Sequence, residues 1–198
     1  MASSTRFGLF PCTVGSLQLV QIGSVSVRAG TSKEVIIPGG ALDAGAIPLN
    51  MADPTVTVTS MDFTTILTSV SLTAGYDCSA GATFRYQKRA DSGTFSGGGS
   101  NVTLTSTKGF AILRSISASQ DTPATLDLEY KPLWDQSTLP LVVNNSVDIS
   151  GASQPAFTSV FYLGPMYVNS TQIPGVISTR IDPGVQFEVL RADGEPYA

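Results

Sequence analysis

Asp127 and Glu129 flank Leu128 in the alternating run Leu126-Asp127-Leu128-Glu129-Tyr130, so a strand there carries both acids on one face. Two carboxylates on one face are the minimum equipment for glycoside hydrolysis, one as acid and the other as base or nucleophile. Asp77 and Asp91, both in loop-like sequence, form the other pair that could do this work. Acids alternating with apolar residues are ordinarily the wet side of a sheet, and the 127/129 pair reads that way. The chain also has no histidine. That removes Ser-His-Asp and Cys-His nucleophile systems, histidine-based zinc sites and the commonest general base near neutral pH. The expectation is therefore a protein that is not an enzyme, with no catalytic residues.

Metal and cofactor chemistry fares no better. A calcium loop wants several oxygen ligands close in sequence. Asp127-x-Glu129 is the one close pair of acids in that style, while Asp62, Asp77 and Asp91 stand alone. The run Gly97-Gly98-Gly99 leads into the alternating Asn101-Val102-Thr103-Leu104 and not into a helix, so it lacks the context of a phosphate cradle. Cys12 and Cys78 are too few for a disulfide framework and read as buried free thiols, with a bridge between them open only in an oxidising compartment. No cofactor and no metal ligand is expected.

Binding chemistry is sparse too. Arg85, Lys88 and Arg89 are the densest basic cluster on a chain of net charge −4, too little to track a phosphate backbone, so nucleic acid is not an expected partner. Trp134, the one tryptophan, follows a strand and precedes a turn, where it caps a core more readily than it forms a ligand platform. Asn-x-Ser/Thr sequons at Asn101, Asn144 and Asn169 are a mild excess for a chain this rich in Ser and Thr. No apolar stretch approaches the length of a membrane span, and Met1-Ala2-Ser3-Ser4-Thr5-Arg6 is not followed by the apolar core of a secretory signal. Neither a membrane nor secretion is expected.

The elements that would position these residues are strands. Thr55-Val56-Thr57-Val58-Thr59, Asn101-Val102-Thr103-Leu104-Thr105 and Val185-Gln186-Phe187-Glu188-Val189 alternate with period two. Further strands are predicted near 17–28, 34–37, 63–73, 82–88, 110–119, 139–149, 157–168 and 173–181. Turn chemistry separates them at Pro38-Gly39-Gly40, Ala74-Gly75-Tyr76-Asp77, Asp182-Pro183-Gly184 and Asp193-Gly194. Helical turns are expected only around 40–46 and 134–138, and 90–100 reads as a long hairpin tip. Ser24–Gly30 is echoed at Ser69–Gly75 and more faintly at Ser115–Ser119, as duplicated strand-turn units would be. The fold class is all-β, an antiparallel β-sandwich or jelly roll of about ten to twelve short strands. Residues 1–16 read as an N-terminal arm or a first edge strand, and 17–198 as a single β domain.

Charged residues make up only 13% of the chain, with 24 Ser and 21 Thr in their place. A hydroxyl surface loses less on burial against a neighbour than one covered in Lys and Glu. The Ser/Thr/Val strands at 17–28, 55–73 and 101–119, with the closing segment from Ile173 through Pro183-Gly184-Val185, resemble in character the structural proteins of bacteriophage particles. The resemblance carries no site residue. It departs from tail tube proteins, which carry a clear helix, so head, decoration and tail roles stay open. It implies a virion subunit assembled in the host cytoplasm, partnered by copies of itself and neighbouring virion proteins. Contacts are then expected at β edges, at the 90–100 tip and at the termini. A carbohydrate-binding β-sandwich is the alternative, and it needs a row of exposed aromatics or a calcium loop.

Overall fold

A computed structural model describes residues 6–28, 30, 32–33, 49–50, 53–89, 101–149, 159–186 and 188. In chain order the elements are β1 (Arg6–Val14), β2 (Leu17–Leu19), β3 (Ile22–Arg28), β4 (Ser32–Lys33), β5 (Leu49–Asn50), β6 (Thr55–Ser60) and α1 (Phe63–Ser69). Then come β7 (Tyr76–Cys78), β8 (Ala82–Arg89), β9 (Asn101–Ser106), β10 (Lys108–Ser119), β11 (Thr125–Leu133) and β12 (Val142–Val147). β13 (Met166–Val168), β14 (Thr171–Ile173) and β15 (Ser178–Ile181) complete the described chain. Eleven of these strands make two antiparallel sheets. One is five-stranded in the order β12-β9-β8-β1-β2; the other has six strands, β15-β10-β11-β6-β3 with β7 also on β10.

The alternating sequences do what their period requires. In β6, Val56, Val58 and Ser60 turn inward and are buried, while Thr55, Thr57 and Thr59 lie between them on the other face. In β11, Leu126, Leu128 and Tyr130 face the same way. From the other sheet, Cys12, Val14, Leu17, Leu19, Ala82 and Phe84 meet them in one core cluster, so the two sheets pack face to face as a sandwich. Tyr130 reaches across the layer. Its ring lies 6.0 Å from that of Phe84, edge to face, and its hydroxyl contacts Ser106 Oγ at 2.5 Å. Gly109, beside Tyr130, has no room for a Cβ: one placed there would strike the phenol and the Lys131 carbonyl.

Three sequence expectations change here. Residues 63–73 do not form a strand. Asp62 caps a seven-residue helix by accepting from the Thr65 N–H, the helix buries Ile66, and Val70 at its C-cap, four residues on, is buried too. The β-branched residues of Phe63–Val70 favour a strand, but the cap and the four-residue spacing favour the helix, and burial of Ile66 against the core decides between them. Residues 134–138 form an Asx-type turn and not a helical one, with Asp135 Oδ1 accepting from the Ser137 and Thr138 N–H groups. Val185 and Gln186 belong to no strand. The segment open between arm and edge strand contains β1, paired with β8 on one side and β2 on the other. The serine-rich echo falls on β3, on the end of α1 with a turn, and on the end of β10, so it is one of composition. The expected elements at 34–37, 40–46 and 90–100 lie outside the described residues.

Cys12 and Cys78 are free and buried in the core cluster. Burial pushes each thiol from 9.0 up to about 12, opposed for Cys12 by Arg85 and reinforced for Cys78 by Asp77. Burial also raises the Tyr130 phenol. Each group binds its proton more tightly folded than unfolded. The stability it lends is therefore whole below its unfolded value and is lost as pH climbs from about 9 toward 12. Thermal melts should show a Tm level up to about pH 8.5 that falls on the order of 10 °C by about pH 11. A level Tm through pH 11 would mean that the core does not hold these groups neutral.

Candidate interaction surface

The two acids that invited a catalytic reading do share the outer face of the six-stranded sheet, and both are already engaged. β10 carries a bulge at Arg114, between the pairs Leu113–Leu128 and Ser115–Asp127. The extra residue lets two successive side chains reach one face. Ser115 donates to Asp127 Oδ2 at 2.8 Å, and Thr59 on β6 donates to Oδ1 at 2.7 Å. Arg114 grips Glu129 through both carboxylate oxygens, at 2.5 and 3.0 Å. Its third contact is to the Val185 carbonyl at 3.1 Å, which ties the 182–186 segment onto the sheet. Every oxygen of the pair has a protein donor, so the face is a cross-strand polar ladder.

The other flagged acids are dispersed. Asp62 is buried as the helix cap, Asp77 is exposed on β7, and Asp91 lies outside the described residues. Among the described residues no three His, Cys, Asp or Glu side chains are placed to hold a metal ion. No helix there is long and apolar enough to cross a membrane. Strand alternation sends Arg85 and Lys88 to opposite faces of β8, which breaks up that basic cluster. Trp134 is half-buried just beyond β11. Asn101 is buried, with its amide bonded to the Lys88 N–H and the Val147 carbonyl, and Asn144 donates to Thr105. Asn169 alone of the three sequon residues is exposed.

What the surface does display lies beyond β12. From 149 to 179 the chain has no Asp, Glu, Lys or Arg. Residues 159–181, which overlap this stretch and add Arg180 at its end, are almost wholly exposed and carry Phe161, Tyr162, Met166, Tyr167, Val168, Ile173, Ile177 and Ile181 among the exposed large apolar side chains. Elsewhere such residues occur as Val27, Leu67, Leu72, Leu139 and Val143. Exposed apolar residues scattered singly are ordinary, whereas a run of them along one segment makes this stretch the candidate interaction surface.

Both limbs of this segment are fastened beside the turn between β10 and β11. The Ala124 N–H donates to the Phe161 carbonyl, and the Leu163 N–H donates to Ser119. Gln120 holds the other limb, its N–H on the Ile177 carbonyl and its side-chain amide on that of Val176. Phe161 packs on Phe63 of α1 with 5.4 Å between ring centroids, and β15 pairs with β10 from Ile116–Ile181 to Ser119–Ser178.

Between the limbs stands a hairpin. Asn169 and Ser170 both have positive φ, 47° and 64°, the geometry of a two-residue type I′ turn. The pairs Met166–Ile173, Tyr167–Gln172 and Val168–Thr171 follow from it. Alternation then places Met166, Val168, Thr171 and Ile173 on one face and Tyr167 with Gln172 on the other. An open groove of about 340 Å³ lies at the hairpin base, walled by Leu163, Met166, Ile173, Pro174 and Val176 and bordered by Gln120.

Comparison with protein-family models, curated proteins and solved structures yields no match for this chain. The sequence had given β edges, the 90–100 tip and the termini as contact points. The 90–100 tip lies outside the described residues, and the hairpin at 166–173, which joins the ends of two expected strands, is not among those contact points. Its signal was present in the uncharged stretch from 149 to 179 and in Asn169-Ser170 between two apolar runs.

The polar ladder yields a specific expectation. Arg114→Ala should leave the sandwich folded, free the Val185 segment and lower the unfolding free energy by about 1 kcal/mol, since the guanidinium is partly solvated. Arg114→Lys should recover only part of that loss, because an ammonium cannot form the two-pronged contact. Urea titrations of the three proteins test this, and full recovery by lysine would reduce the contact to charge alone.

Proposed function

We propose that this chain is a structural subunit of a virus particle, acting through protein–protein contacts with copies of itself and with neighbouring virion proteins. The observation that supports it is the exposed, apolar segment 159–179, free of charged residues and fastened at both limbs to the edge of a sandwich. Its burial needs no charge to be desolvated and removes several large apolar side chains from water. The carboxylates best placed for catalysis are meanwhile occupied by Thr59, Ser115 and Arg114. Assembly from identical subunits rewards such a surface, because a modest contact is multiplied by symmetry. A second reading, carbohydrate binding, draws on Tyr167 and Gln172, an exposed aromatic and an amide on one hairpin face.

Purified particles from the protein's source should contain this chain in stoichiometric amount by mass spectrometry, and it should sediment with them through a density gradient. Recovery only at the mass of the free 20.6 kDa chain would contradict the assembly reading. A glycan array decides the second reading, which requires binding that Tyr167→Ala abolishes.

A further inference from the structure

The hairpin carries both halves of a contact. Tyr167, 59% exposed, projects from one face of β13, and the groove at the hairpin base is walled by apolar side chains with the Gln120 and Gln172 amides at its edge. We propose that the hairpin Met166–Ile173 is a self-docking element, in which Tyr167 of one copy seats in the groove of a second copy.

The proposal rests on the assembly reading and names its surface and its partner. Three observations carry it. First, a hairpin of three residue pairs is marginal in water by itself. All six strand residues here are exposed, so among the described residues nothing covers the Met166, Val168 and Ile173 face. Second, each copy carries a net charge of −4, and like charges placed opposite one another across an interface oppose association. The stretch 149–179 contains none, so two copies can meet there without opposing charges of one sign. Third, the groove suits its own neighbour. A tyrosine offers an apolar ring to Leu163, Pro174 and Val176 and a hydroxyl to Gln120 or Gln172. A projection and a recess on the same element are what a second copy presents, and a buried tyrosine is a common anchor of such contacts.

The full-length chain is tested by sedimentation velocity across a concentration series. The wild type should associate with rising concentration. Tyr167→Ala and, separately, Met166→Lys should each weaken association by roughly tenfold or more. Val143→Lys, on exposed β12, should leave it unchanged, and because all three positions are exposed the circular dichroism melts should coincide. A wild type that remains monomeric throughout overturns self-docking, as does an oligomer indifferent to both hairpin substitutions or equally sensitive to Val143→Lys. Those outcomes leave the particle-association result to stand by itself, because a hairpin that docks on a different virion protein, or on a glycan, would still be found through the particle or the array.

Discussion

Two sheets can bury their inner faces only if side chains fill the space between them, and here Tyr130 fills it at its centre. From β11 it reaches Phe84 on β8 and the Ser106 hydroxyl at the end of β9, so one residue joins both layers by ring contact and hydrogen bond. Ser106 Oγ also accepts from the Ala82 N–H, which satisfies the start of β8 in the same network. Gly109 is the consequence, since the phenol occupies the volume that its side chain would need. Around this contact the buried aliphatics of β1, β2, β6, β10 and β11 close the core. The two thiols sit in that core as small apolar groups, and burial rather than any partner sets their chemistry.

The two kinds of outer surface follow from how their polar groups are satisfied. On the six-stranded sheet, the bulge at Arg114 brings Ser115 to Asp127 and Arg114 to Glu129, while Thr59 on β6 gives Asp127 its other donor. Lys131 extends the row by pairing with Asp53 at 2.5 Å. The segment beyond β12 is the opposite case. It carries no charge from 149 to 179 and leaves many apolar side chains in water, although it is fixed to the body at Ser119, Gln120 and Ala124. A charge-poor chain thus places charges in cross-strand ladders and leaves the stretch from 149 to 179 without any.

The strands with strict alternation, at 55–60, 101–106 and 125–133, were legible because each has one buried face, and burial enforces period two. The acids at 127 and 129 were legible as the outer side of a strand for the same reason. α1 was not, because Thr64, Thr65 and Ile66 have strand preferences, and only the Asp62 cap and the packing of Ile66 and Val70 reverse them. The hairpin was half legible. Runs at 157–168 and 173–181 read as strands, but Met166-Tyr167-Val168 looks in sequence like the core strands that it resembles. Its exposure is a property of the whole fold, decided by where the limbs attach, and no local pattern encodes it.

If a second copy completes the hairpin, the sandwich should be stable in the dilute chain and the hairpin only on assembly. Backbone amide exchange separates the two directly, measured on the dilute chain and on the assembled form. Amides of 126–130 should then be protected in both samples, whereas amides of 166–173 should exchange nearly freely when dilute and become protected on assembly. Hairpin protection equal to that of the core in the dilute chain, or unchanged by assembly, would contradict completion by a second copy.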